Sequence, residues 1–187
     1  MISIAQFASA LYGTWLLIRL DPRGLTYFEK TPGGFARSFL SGALLLPLQA
    51  AHLVLSYHNH RTKLAPVPYT VVESLAYVLS LVTFPFAMLY VTELLNRRER
   101  YLWYLVAYNW FQLAVGLVFL PLAILADLRL VTAKAAGFLS LFAIGVFFTY
   151  SSFIARNGLQ IGLGTAVGVV LLDFVINQLI IQIVARI

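Results

Sequence analysis

The stretch LQIGLGTAVGVVLLDFVINQLIIQIV, residues 159–184, carries one charged side chain, Asp173, in a run otherwise made of aliphatic, small and amide residues. A helix needs about 20 residues to cross a hydrocarbon core of roughly 30 Å, so this segment is long enough to span a bilayer. Four earlier runs share the property, at 34–56, 67–94, 102–125 and 133–155. Charged, prolyl or glycyl breaks separate them, at 58–63, 96–100, 127–129 and 156–158. Connections this short make successive helices antiparallel neighbours. The runs are continuous rather than alternating, which excludes the apolar-out, polar-in pattern of a membrane β-barrel. The expected fold is an all-α polytopic bundle of five transmembrane helices occupying 34–187.

Composition agrees. Of 187 residues, 61% are hydrophobic and 11% charged, against about 25% charged in ordinary soluble domains, and the mean hydropathy is +0.87. The net charge of +6 would suggest nucleic acid in a soluble domain. Here the basic residues cluster at the ends of apolar runs, where headgroups and orientation explain them, and no nucleic-acid partner is expected. The chain contains no cysteine, so disulfides, thiolate metal sites and cysteine nucleophiles are excluded.

Lysine and arginine also set the expected orientation. Arg19, Arg23, Lys30, Arg37, Arg97, Arg98, Arg100 and Arg156 fall on one side of the five spans, and Arg61, Lys63, Arg129, Lys134 and Arg186 on the other. The positive-inside rule then puts the N-terminus in the cytoplasm and the C-terminus outside. Short loops and compact size suit a bacterial inner membrane. Arg97, Arg98 and Arg100, followed by Tyr101, Trp103 and Tyr104, read as an edge with arginines among anionic lipid headgroups and aromatics in the interfacial belt.

Residues 1–20 are apolar with one charge, Arg19, at the end. Ile4, Phe7, Leu11, Trp15 and Ile18 repeat at helical spacing on one stripe, with Gln6, Ser9 and Gly13 opposite. This pattern predicts an amphipathic interfacial helix with a polar face of Ser, Gly and Gln, the kind that senses lipid packing by apolar insertion. A sixth span is the alternative; a signal peptide is disfavoured, because the charge follows the apolar stretch. Residues 21–33, with two Pro/Gly breaks and charges of both signs, read as a cytoplasmic linker.

Polar side chains inside hydrocarbon are costly and mark where function is sought. Asp173 falls about 20 Å into the last run, counted at 1.5 Å per residue, and Asn177 shares its face at i+4. Counting depth along the other spans nominates Gln49, His52 and Glu73 as partners in one outer-half cluster. Such a cluster is either interhelical polar glue or a proton relay, since imidazole titrates near neutrality. Asn109 and Gln112, an i, i+3 pair, form a second inward polar face. Gly158, Gly162 and Ala166 repeat at i+4, and Gly164 with Gly168 forms a second small-residue face, both read as close helix packing within the chain or between copies. No P-loop or nucleophile elbow occurs, and His58-x-His60 is a turn rather than a metal site, so neither metal nor cofactor is expected.

The Pro-containing entry Thr31-Pro32-Gly33-Gly34-Phe35 and the five closely spaced runs resemble the YIP1-type membrane proteins, over about residues 25–187. The stretch from Phe153 through Asp173 resembles five-span proteins of alphaproteobacteria. The resemblance implies a five-span fold and, in eukaryotic relatives, membrane traffic with small GTPases bound through a longer hydrophilic N-terminus. That segment and the family's Asp-Leu-Tyr-Gly-Pro signature are missing here, so GTPase binding is not implied. The functional expectation is a non-enzymatic membrane protein acting by assembly with itself or a membrane partner. The alternative is a small transporter or proton-coupled channel with Asp173 as its ionisable centre.

Overall fold

A capping box starts the first helix of the computed structural model, which describes residues 3–59 and 64–186. Ser3 Oγ accepts from the Gln6 amide at 3.2 Å, and Gln6 Oε1 accepts from the Ser3 amide at 2.9 Å. Helix α1 (Ile4–Ile18) closes at Arg19, and Leu20 turns the chain in the left-handed region at φ 57°. A 3-10 segment follows at Pro22–Tyr27, capped by Asp21, whose carboxylate accepts from the Arg23 amide and guanidinium at 2.6–3.0 Å. The same hydrogen bonds hold the Asp21 carboxyl below its ordinary range.

Thr31 caps α2 (Pro32–Ser38), with proline at the first position where its missing N–H costs nothing. After Phe39 the chain continues as α3 (Leu40–Asn59). Then come α4 (Pro66–Leu94), α5 (Tyr101–Asp127), α6 (Ala133–Leu159) and α7 (Leu163–Val184). Five stretches are long and apolar enough to cross a membrane: Pro32–Asn59, Pro66–Leu94, Arg98–Asp127, Lys134–Leu159 and Leu163–Val184. The described residues contain no strand. Helices α3, α4 and α5 run through Pro47, Pro85 and Pro121; Tyr101 Oη donates to the Pro85 carbonyl at 3.0 Å. Large apolar side chains such as Val67, Leu94 and Leu141 point outward, as hydrocarbon solvent permits.

One boundary differs from the sequence expectation. The chain does not break at 156–158: α6 runs on to Leu159 and turns at Gln160, φ 53° and ψ 56°, and Gly162 caps α7. Asn157 Nδ2 bonds the Phe153 carbonyl inside the helix. Gly158 stays helical because it is pressed on α5, where a Cβ would lie 3.2 Å from the Tyr104 ring and 3.5 Å from Tyr104 Cα. Gly158 and Gly162 therefore belong to different elements, and with Ala166 they do not make one face. Ala166 is buried, whereas Gly162, Gly164 and Gly168 have no atom within 4 Å of an added Cβ.

Helix α5 is the axis. Residues 104–111 are buried on every side, enclosed by α1, α2, α3, α4 and α6. Helix α7 lies against α6 and α4. The α1 segment, the 4–5 connection and the 6–7 connection share one end, tied by Trp103 Nε1 donating to the Leu25 carbonyl at 2.6 Å and by Arg97 Nε donating to the Gln160 carbonyl at 3.4 Å. We call this the basic end. At the far end, Asn59 Nδ2 donates to the Asp127 carbonyl at 2.6 Å.

Helix α1 has two faces, as its periodicity predicts, but the partner of the polar one is not the expected water. Ala10, Gly13, Thr14 and Leu17 are buried against protein. Gly13 and Gly24 meet so closely that a Cβ on Gly13 would stand 2.8 Å from the Gly24 oxygen, and one on Gly24 2.5 Å from the Gly13 oxygen. Ser9 Oγ donates to the Tyr27 carbonyl at 2.9 Å, and Gln6 Nε2 to Glu29 Oε1 at 2.5 Å. The face of Gln6, Ser9 and Gly13 thus serves the 3-10 segment and linker, not water as a lipid-packing sensor requires. Ile4, Leu11, Trp15 and Ile18 are exposed, whereas Phe7 turns inward to meet Trp110 edge-on at 5.6 Å. Periodicity separates two faces but does not say which one finds protein.

Gly13→Leu is expected to lift α1 from the 3-10 segment. Trypsin cleavage after Arg19 and Arg23 should accelerate, and stability in detergent should drop by about 1–3 kcal/mol, the usual cost of overpacking. Gly168→Ala, with open space around it, should leave cleavage unchanged and gain up to about 1 kcal/mol from helix propensity.

Candidate functional site: a buried carboxylate and a polar seam

Asp173 sits near the middle of α7 and is 1% exposed. Both carboxylate oxygens are answered. Tyr108 Oη, from α5, donates to Oδ2 at 2.6 Å, and Asn177 Nδ2, one turn on, donates to Oδ1 at 2.9 Å. Gln112 Nε2 in turn donates to Tyr108 Oη at 2.6 Å. The result is a four-member chain: Gln112, Tyr108, Asp173, Asn177. Phe84 packs beside it, its ring 4.8 Å from that of Tyr108.

Asp173 and Asn177 do share a face. The expected second face divides: Gln112 joins Asp173 through Tyr108, while Asn109 Nδ2 donates to Ser38 Oγ at 2.8 Å. Tyr108 was not singled out in the sequence, where it reads as one more aromatic near an interface. Its i, i+4 relation to Gln112 was the available signal.

Gln49, His52 and Glu73 lie elsewhere. They line a cavity of about 720 Å³ between α3, α4 and the last turns of α7, with Ile181 and Val184 on its wall. Ile181 is eight residues, about 12 Å, beyond Asp173. The expected single cluster of five is therefore two groups. Depth counting gives a residue's height but not its direction around the axis, and α7 starts four residues later than the sequence suggested. Asp127, which the sequence presented only as a break between spans, completes the outer group. Ser56 Oγ donates to Asp127 Oδ2 at 2.9 Å and lies 3.3 Å from His52 Nε2, which is 3.4 Å from the same Asp127 oxygen. Hydroxyl and carboxylate meet one ring nitrogen and each other, so this is no nucleophile triad, where they occupy opposite nitrogens.

A smaller cavity of about 150 Å³ lies between the two groups in register. Ser41, Tyr77, Asn109, Gln112 and Asn177 are on its wall. Leu45, Tyr77 and Asn177 of the inner cavity stand one turn from Gln49, Glu73 and Ile181 of the outer one, on α3, α4 and α7 respectively. A step of four residues is about 6 Å along a helix. The same three helices thus line a seam from the far end toward Asp173, with its polar side chains on α3 and α4 and, nearest Asp173, Asn177 of α7.

At the basic end the arginines divide as well. Arg98 points outward near Glu93 at 3.6 Å, with 80% of its side chain exposed. Arg97 is engaged with carbonyls, and Arg100 and Lys30 lie over the Trp103 ring at 5.4 and 4.0 Å. His58 Nδ1 is bonded to the Val54 carbonyl at 2.7 Å; His60, Arg61 and Lys63 lie outside the described residues. Among the described residues no three metal-ligating side chains gather.

Comparison with family models, curated proteins and solved structures finds no match.

Tyr108→Phe removes the donor to Asp173 and the acceptor of Gln112 together. It should cost about 1–3 kcal/mol, the price of a buried polar group left unpaired, measured by thermal unfolding in detergent. Tyr90→Phe, on the exposed face of α4, is the control and should be neutral.

Proposed function

We propose that this integral membrane protein is a small, non-enzymatic transporter or proton-coupled channel, with Asp173 as its ionisable centre. The observation that carries the reading is a carboxylate buried at mid-span of α7, little more than two turns below an open cavity that holds Glu73 and His52. A side chain of this kind is expensive in hydrocarbon and is retained where it carries charge or protons. Both Asp173 oxygens accept hydrogen bonds, so a proton taken up at Oδ2 turns Tyr108 from donor to acceptor there, and the Gln112 amide links the pair to the inner cavity. The outer cavity supplies access from the far end.

The setting is a bacterial inner membrane, with the basic end in the cytoplasm on anionic headgroups and the far end outside, supported by the eight-to-five division of Lys and Arg. YIP1-type kinship, carried by the span order, belongs to the same proposal and brings no GTPase role with it. An assembly role is the second reading. It is favoured by the open flank of α7, where Gly164 and Gly168 would admit a neighbouring helix closely.

Purified protein in proteoliposomes carrying a pH-sensitive dye tests the proposal. The parent should dissipate an imposed pH gradient, and Asp173→Asn should abolish that flux while the protein still elutes as a single folded species. Equal flux in both, or none in the parent, overturns the transport reading. If cysteines placed at 164 and 168 then crosslink between copies in native membranes, the assembly reading takes its place.

A further inference from the structure

The outer cavity has its own chemistry. Among the described residues its wall carries the Glu73 carboxylate and the His52 imidazole but no lysine or arginine. Asp127 stands behind it, bonded to Ser56 and close to His52. Glu73 lies about 10 Å into α4 from its far-end start and forms neither hydrogen bond nor ion pair with any described residue, while its side chain faces the cavity. Among the described residues no lysine or arginine meets it, and His52 on the same wall is engaged with Ser56 and Asp127, so a carboxylate at that depth is open to a cationic ligand. The wall also presents the Tyr69 ring, which packs against Tyr57 at 5.1 Å. An aromatic face beside a carboxylate favours a cation with apolar substituents. The volume of about 720 Å³ far exceeds that of a bare metal ion, and among the described residues no three metal-ligating side chains gather.

We propose that the cavity between α3, α4 and α7 binds a small organic ammonium ion, its charge on Glu73 and its alkyl groups against Tyr69. This names the solute class for the transport reading and rests on it. Binding and flux are nonetheless read separately.

The probe is choline, with 3,3-dimethyl-1-butanol as its uncharged isostere, added to the full-length protein in detergent and followed by equilibrium dialysis. Choline should bind, and the isostere about tenfold or more weaker, the ratio expected for one desolvated charge contact. Glu73→Gln should reduce choline affinity by a similar factor without changing thermal stability. Tyr69→Leu, which leaves the carboxylate in place, should weaken choline several-fold. Equal binding of choline and isostere, or choline binding indifferent to both substitutions, overturns the proposal. Absence of choline binding alongside Asp173-dependent proton flux overturns the ammonium site and leaves the transport reading standing. Glu73-dependent binding with no flux keeps the site and removes transport.

Discussion

A carboxylate held in hydrocarbon has to be answered by protein, and the bond from Tyr108 to Asp173 is that answer. It joins α5, the enclosed axis of the bundle, to α7 through a long aromatic side chain. The phenol suits the place. Its ring packs against Phe84 as an apolar body, and its hydroxyl reaches the carboxylate while accepting from Gln112. Among the described residues only the Ser151 hydroxyl is buried without a partner, so the polar interior is almost wholly paired. That fits a site where an unpaired group would be far more costly than in water.

The same demand for pairing explains the basic end. Helix α1 is too short to span a hydrocarbon core, and it gains its place by close approach: Gly13 on Gly24, Ser9 on the Tyr27 carbonyl, Gln6 on Glu29. Glu29 is shared further with Arg37 of α2, and Trp103 of α5 takes the Leu25 carbonyl. Linker, first helix and bundle are thus fastened to one another by groups of which most belong to small or polar residues. The bulky residues Leu11, Trp15 and Ile18 are left facing outward, which is the economical arrangement when the surroundings are apolar or interfacial.

Span number, helix type and the pairing of Asp173 with Asn177 are legible in the sequence because each follows from length or from i, i+4 spacing within one helix. What needed the fold was direction. Gln49, His52 and Glu73 have the right height to be near Asp173 but face the outer cavity. Asp127 looked like a boundary and proved to be a partner of Ser56. The turn at Gln160 was hidden because Arg156, Asn157 and Gly158 form a better break by composition; only the contact of Gly158 with Tyr104 shows why the helix continues. Glycine reads as a stop signal and as a packing surface with equal ease, and the neighbouring helix decides between them.

The seam is also asymmetric, and this bears on what any passage through it would require. From the far end, walls that carry polar side chains on α3 and α4 and apolar ones on α7 lead down to the cavity of Asn177 and Gln112. Toward the basic end the chain meets a layer of Phe84, Met88, Tyr104 and Leu105, all at most 1% exposed. Asp173 therefore has the two cavities toward one end of the bundle and a closed apolar layer toward the other. Opening that layer means moving α4 against α5, since Phe84 and Met88 belong to one and Tyr104 and Leu105 to the other. The Tyr101 bond to the Pro85 carbonyl stands at their junction. Proline at 85 removes a backbone donor from α4 at that height, so the helix is least bound to itself where the two sides would have to part.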